Sequence, residues 1–315
     1  MPTPFPALVL QASERLTPHI RLTPTDPAPQ LSPHTHLKLE NFQLTGSFKI
    51  RGALNKLLTL TPQQRARGIV VASTGNHGAA AAYGSQLLDC PCTVFVPEDT
   101  DDSKLSGIRS RGAQLVLEGG DCLDSELLAR AHAEEHDLTY VSPYNDIVVA
   151  AGQGSLGVEL GQQLPDLERV YVAVGGGGLV SGVGAHLKSL SENIEVVGCC
   201  PELSDVMARS VPAGKIMNMP FVPTLSDGTA GNLEENSITL PLCAQYVDRF
   251  ESVSEEEIAD SVRWVLEHHR MLVEGAAGVA VAVARRELGP NDSVRAAVVL
   301  CGANISADKL RTILG

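Results

Sequence analysis

The run Arg169-Val-Tyr-Val-Ala-Val174, followed by Gly175-Gly-Gly-Gly178 and a helical pattern over 179–190, decides the class of fold. A β-branched apolar strand ends in four residues without side chains, and a helix opens directly after them. The same strand-then-turn grammar recurs at Gly68-Ile-Val-Val-Ala72, Cys92-Thr-Val-Phe-Val96, Gln114-Leu-Val-Leu117, Ile194-Glu-Val-Val-Gly198 and Ala296-Ala-Val-Val-Leu300. Short apolar strands alternating with alanine-rich helical stretches predict an α/β chain with buried, mostly parallel sheets. Aromatics at 4% and 29 glycines suit close packing of helices on such sheets. Helix starts are written at Thr61-Pro62-Gln63-Gln64 and Ser254-Glu-Glu-Glu257, both capping boxes.

Working outward, 315 residues with 43% hydrophobic and 19% charged side chains can bury a large core and predict two lobes. The formal net charge of −13 repels phosphate backbones, which excludes nucleic acid and anionic membranes as general partners. The apolar stretch 276–284 is far shorter than the roughly 20 residues that span a bilayer. Met1-Pro-Thr-Pro-Phe-Pro has no basic segment leading into an apolar one, so a cytoplasmic location is expected. Seven cysteines, with the pairs Cys90/Cys92 and Cys199/Cys200 too close for ordinary bridges, read as reduced thiols. The acidic stretch Pro97–Ser103 reads as a solvated loop joining strand to helix.

Several motifs compete for the chemistry. Gly152-Gln-Gly154-Ser-Leu-Gly157 matches G-x-G-x-x-G in form, but no convincing strand precedes it and no acidic residue lies about 20 positions on. We read it as a helix start whose glycines allow close packing. His132-Ala-Glu-Glu135-His136 spaces two histidines on one face of a predicted helix over 123–137, with no third metal ligand evident. His268 and His269 read as helix-surface residues. Gly175–Gly178 is a stronger signal: backbone N–H groups at a helix N-terminus can wrap an anion, and no G-x-x-x-x-G-K-[ST] is present to assign that anion to a nucleoside triphosphate. A phosphorylated cofactor is expected there. Lys49, beside Phe48 near a helix start, is placed for a depressed amine pKa and Schiff-base chemistry. Ser73-Thr74-Gly75-Asn76-His77-Gly78 is a donor-rich strand-to-helix turn, suited to an anion or a carboxylate.

Ser47-Phe48-Lys49, Ser73–Gly78, Gly175–Gly178 and Cys301-Gly302-Ala303-Asn304, taken in order, resemble the fold-type II pyridoxal-phosphate enzymes, in particular the threonine/serine dehydratase and serine racemase branch. The resemblance covers nearly the whole chain. It implies a tryptophan synthase beta-like fold of two open, twisted, mostly parallel sheets with helices on both faces. A large domain over 1–67 and 146–315 and a small one over 68–145 would hold pyridoxal 5'-phosphate between them. By resemblance Lys49 would carry the Schiff base and remove the substrate Cα proton. Phe48 would pack on the ring, Gly175, Gly176, Gly177 and Gly178 would hold the phosphate, Asn76 would bond the ring hydroxyl, and Cys301 would meet the ring nitrogen. Glu274 matches a family glutamate near the ring, with a helix-start carboxylate as its alternative. Ser73, Thr74, Asn76 and the His77 backbone would bind the substrate, and Thr74 or Ser73 would protonate the leaving group.

The implied reaction is β-elimination of water from threonine, serine or a related β-hydroxy amino acid, giving a 2-oxo acid and ammonia. The alternatives are β-replacement, as in threonine synthase or cysteine synthase, and racemisation. Thr74 stands where serine racemases have a serine, and Ser125 where they have a substrate-binding arginine. Cys200 stands where the branch begins a divalent-cation site, so no metal is expected. The Pro223–Gly231 loop is suspected of lining the side-chain pocket, and a homodimer is expected from the relatives.

Overall fold

The computed structural model describes residues 3–100, 102–120 and 122–315. Its strands are β1 (Thr25–Pro27), β2 (Thr35–Lys38), β3 (Ile69–Ala72), β4 (Cys92–Val96), β5 (Gln114–Leu117), β6 (Thr139–Tyr140), β7 (Arg169–Ala173), β8 (Glu195–Pro201), β9 (Arg249–Val253) and β10 (Ala296–Val299). They form two sheets, a six-stranded one ordered β1-β2-β10-β7-β8-β9 and a four-stranded one ordered β5-β4-β3-β6. Every pairing is parallel except β1 with β2. The fold is therefore the α/β architecture of two mostly parallel sheets that the sequence implies.

The centre of the large sheet is covered on both sides: all of β10 and residues 170–173 of β7 are buried. The helices Gly178–Leu190 and Gly275–Glu287 both pack on β7 and β8. Thr61 and Ser254 form complete capping boxes, with Pro62 in the first turn of its helix. The helix after β4 is Asp102–Arg109, so the solvated stretch ends earlier than expected, and Asp101 lies outside the described residues.

One expectation is corrected. Gly152, Gly154 and Gly157 do not start a helix but lie inside Ile147–Gln163, whose start is set by Asp146 accepting from Val148 and Val149 N–H at 2.7 and 3.2 Å. Their packing role holds: a Cβ on Gly154 would meet Gly182 O at 2.7 Å and Val9 at 2.8 Å. Six cysteines, Cys90, Cys92, Cys199, Cys200, Cys243 and Cys301, are buried free thiols; the Cys122 side chain lies outside the described ones.

Candidate active site

Residues 46–48 and 301–303 run side by side. Phe48 N–H donates to Cys301 O at 3.0 Å, Ala303 N–H donates to Gly46 O at 2.9 Å, and Ser47 bridges Gly302. This short ladder delivers Lys49, the first residue of the helix Lys49–Thr59, to the end of β10. The half-buried Lys49 amine donates to Pro143 O at 3.0 Å and lies 5.3 Å from the Phe48 ring centre. No carboxylate pairs with it among the described residues. Burial therefore draws its pKa down to about 8, against the pull of Cys301 and Glu274.

Pro143 leads to Tyr144, whose ring packs on the glycine turn: a Cβ on Gly176 would stand 2.3 Å from it. Gly177 caps the helix Gly178–Leu190 in the left-handed region at φ 80°. The carbonyls of this turn are held from behind, Gly176 O by the Thr239 hydroxyl at 2.6 Å and Gly177 O by the Cys243 thiol at 3.7 Å. In a trans peptide the N–H points opposite the C=O, so the N–H groups of Gly177 and Gly178 face away from those anchors. None of the N–H groups of Gly175–Gly178 has an acceptor among the described residues. Thr229, from the Pro223–Gly231 loop, closes one side: a Cβ on Gly175 would meet its Cα at 2.8 Å.

The second donor-rich turn follows β3. Ser73 Oγ accepts from Gly75 N–H at 3.2 Å, and the N–H groups of Asn76, His77 and Gly78 are unpaired among the described residues. His77 turns its ring inward to Val141 O at 2.8 Å. Burial, with Lys49 nearby, lowers its pKa to about 3, so the ring is neutral and only its backbone faces the turn.

Glu274 precedes the helix Gly275–Glu287 yet makes no capping bond with it. Instead Asn76 Nδ2 donates to both of its oxygens, at 2.9 and 3.0 Å, and Asn304 N–H donates to one at 3.1 Å. Glu274 thus stands at the helix start, and its carboxylate is turned to Asn76 and Asn304. Burial raises its pKa to about 7, opposed by the Asn76 hydrogen bond. Cys301 is buried, and desolvation keeps its thiol protonated well above the ordinary range.

A poised amine, a row of unpaired N–H donors at a helix N-terminus and a neutral thiol fit a phosphorylated carbonyl cofactor. Lys49 would hold its carbonyl carbon and Gly175–Gly178 its phosphate. Pro143, Tyr144, Thr239 and Cys243 build this site but have no local motif that marks them, whereas Asn304 is the last residue of the motif Cys301-Gly302-Ala303-Asn304. Ser125, where serine racemases have an arginine, is buried and donates to Glu118 O at 2.8 Å. Cys200, where the branch begins a divalent-cation site, is a buried residue of β8 whose thiol burial pushes up to about 12.

Residues 16–302 match the family described as pyridoxal-phosphate dependent enzyme. An L-threonine ammonia-lyase of Thermotoga maritima is 39% identical over 279 residues, covering 89% of this chain and 69% of that protein. Among solved structures, the threonine deaminase isoform 2 of Solanum lycopersicum, in its processed form, superposes with a TM-score of 0.90 at 27% identity, covering 97% of this chain and 87% of that one. The serine racemase of Dictyostelium discoideum superposes with a TM-score of 0.87 at 30% identity, covering 96% and 98%. With the match spanning most of its length, this chain belongs to the pyridoxal-phosphate dependent enzymes.

Proposed function

We propose that the protein is a threonine/serine ammonia-lyase that eliminates water from a β-hydroxy amino acid and yields a 2-oxo acid and ammonia. The observation that carries this reading is the Lys49 amine, half-buried and drawn down to about 8, which among the described residues has no carboxylate partner and stands with a row of unpaired glycine N–H groups. Bound there, pyridoxal 5'-phosphate supplies the electron sink that makes the Cα–H bond acidic. Lys49, freed as a neutral amine, takes the Cα proton and holds it as an ammonium. The unpaired N–H groups of Asn76 and His77 and the Ser73 hydroxyl receive the substrate carboxylate. Thr74 or Ser73 relays that proton from the Lys49 ammonium to the departing hydroxyl, which leaves as water and returns Lys49 to the neutral amine. Hydrolysis of the released enamine then consumes one water and gives the 2-oxo acid and ammonia. Cys301, uncharged, would meet the ring nitrogen without forcing its protonation, and Phe48 would pack on the ring.

The relatives' names, threonine ammonia-lyase and threonine deaminase, support elimination. Thr74 in place of a serine speaks against racemisation. In the same reading residues 68–145, which contain all four strands of the smaller sheet, form the small domain, and 1–67 with 146–315 the large one. The buried free thiols suit the reducing cytoplasm. Exposed Leu22, Phe42 and Leu272, on segments joined by Arg21 and Asn41 side-chain bonds, suit a homodimer face.

The test is 2-oxo acid release by the cofactor-loaded enzyme across L- and D-β-hydroxy amino acids, with Lys49→Ala as the blank. Release from L-threonine or L-serine, absent in Lys49→Ala, is expected. Silence across the panel, or full turnover by Lys49→Ala, rejects the reading.

A further inference from the structure

Asn304 joins three parts of the site. Glu274, buried and acceptor-rich, takes both contacts from Asn76 Nδ2, which fixes the orientation of the Asn76 amide and leaves its Oδ1 facing Asn304. Asn304 Nδ2 donates to that Oδ1 at 2.6 Å and to Thr45 O at 2.8 Å, so both of its hydrogens are used. Its backbone N–H donates to Glu274.

Thr45 is itself unusual. A β-branched residue at φ 65°, ψ 8° sits in the left-handed region, and Gly46 follows at φ 74°. A Cβ on Gly46 would lie 2.8 Å from Asn304 Oδ1, so the turn and the Asn304 side chain are fitted to each other. This turn leads through Ser47 and Phe48 into Lys49.

We propose that Asn304 is a positioning residue, which holds the left-handed Thr45–Gly46 turn and the Asn76 amide in register so that Lys49 and the Asn76–Glu274 pair meet in one geometry. The inference rests on the reading of Lys49 as the cofactor lysine. Asn304 is exposed, so substitutions there leave the core packing intact. Facing Glu274 are Lys49, Asp227 and the neutral Cys301 thiol; Asp227 is itself paired with Lys309 at 2.8 Å. Freeing Asn76 removes the donors that hold the Glu274 proton affinity down.

Asn304→Asp keeps the size and removes the donors; Asn304→Ala removes both. In holoenzyme carrying either change, the pH midpoint of the visible cofactor absorbance is expected to shift by about half a unit to one unit. With L-threonine, kcat is expected to fall on the order of tenfold while KM moves less than about threefold. Combining Asn76→Ala with Asn304→Ala adds little to either change alone. Wild-type midpoints and kcat in both variants overturn the proposal. So does an Asn304→Asp enzyme that behaves as wild type, an additive double variant, or loss of cofactor binding in place of a shifted midpoint. If the unmodified enzyme releases no 2-oxo acid from any substrate, the ammonia-lyase reading fails, while the absorbance midpoint still tests Asn304.

Discussion

Arg51 and Lys49 stand two residues apart in the first turn of one helix, and the fold treats their charges in opposite ways. Arg51 is fully buried and ion-paired: it contacts Glu40 at 2.7 and 2.8 Å, Glu159 at 2.7 Å and Ser155 at 3.1 Å. Lys38 completes the cluster on Glu159, Thr23 O and Gln163. Burial opposes the charge on Arg51 and Glu40, and the mutual attraction more than offsets it, so Arg51 titrates higher and Glu40 lower than usual. Lys49 and Glu274, with no ion pair among the described residues, are moved toward neutrality, to about 8 and about 7. Pairing makes the first group a fastener; its absence makes the second group reactive near neutral pH.

The contrast breaks most sharply at the two cations. Lys49→Met should abolish turnover while leaving unfolding free energy within about 1 kcal/mol of wild type, because it removes a charge that burial penalises. Arg51→Leu should do the reverse at the structural level. It strands Glu40 and Glu159 with Lys38 alone and should cost about 3–5 kcal/mol in urea unfolding. A loss below about 1 kcal/mol would show that the cluster is not a fastener.

Glu274→Gln sharpens the same comparison through pH. In the fold this carboxyl binds its proton up to about 7, against an ordinary value of 4.5. Between those values the folded chain holds more protons than the unfolded one, so Glu274 makes stability fall as pH rises through that window. Glu274→Gln should remove that contribution, its stability relative to wild type growing from about pH 5 to about pH 7. A constant difference would refute the raised pKa. Thr61→Ala, in a capping box with no link to either group, sets the smallest expected effect, about 1 kcal/mol by the same unfolding measurement and none on kcat.

What the sequence shows, and what it does not, follows the reach of each signal. β4 and β5 have the boundaries expected from their β-branched runs. β9 escapes such a reading: Arg249-Phe-Glu-Ser-Val253 carries charges that look like a loop until Glu195 and Glu287 pair with Arg249. Asp146, directly before the apolar run 147–151, caps the helix, which is why the helix at Gly152 begins earlier than its glycines suggest. Within the site, Lys49, Asn76, Gly175–Gly178 and Cys301 sit in short motifs and can be picked out. The bonds that orient them cannot, since Lys49 to Pro143 spans 94 positions and Asn76 to Asn304 spans 228.

That reach has a consequence for how the enzyme comes into being on the ribosome. β2 pairs in parallel with β10, and Thr45 is held by a residue 259 positions later. The segment carrying Lys49 is therefore synthesised long before the strand that seats it, so the reactive amine cannot be assembled while the chain is still short. A truncated translation product would carry the lysine and the donor-rich turn at 73–78, but not the wall against which they work.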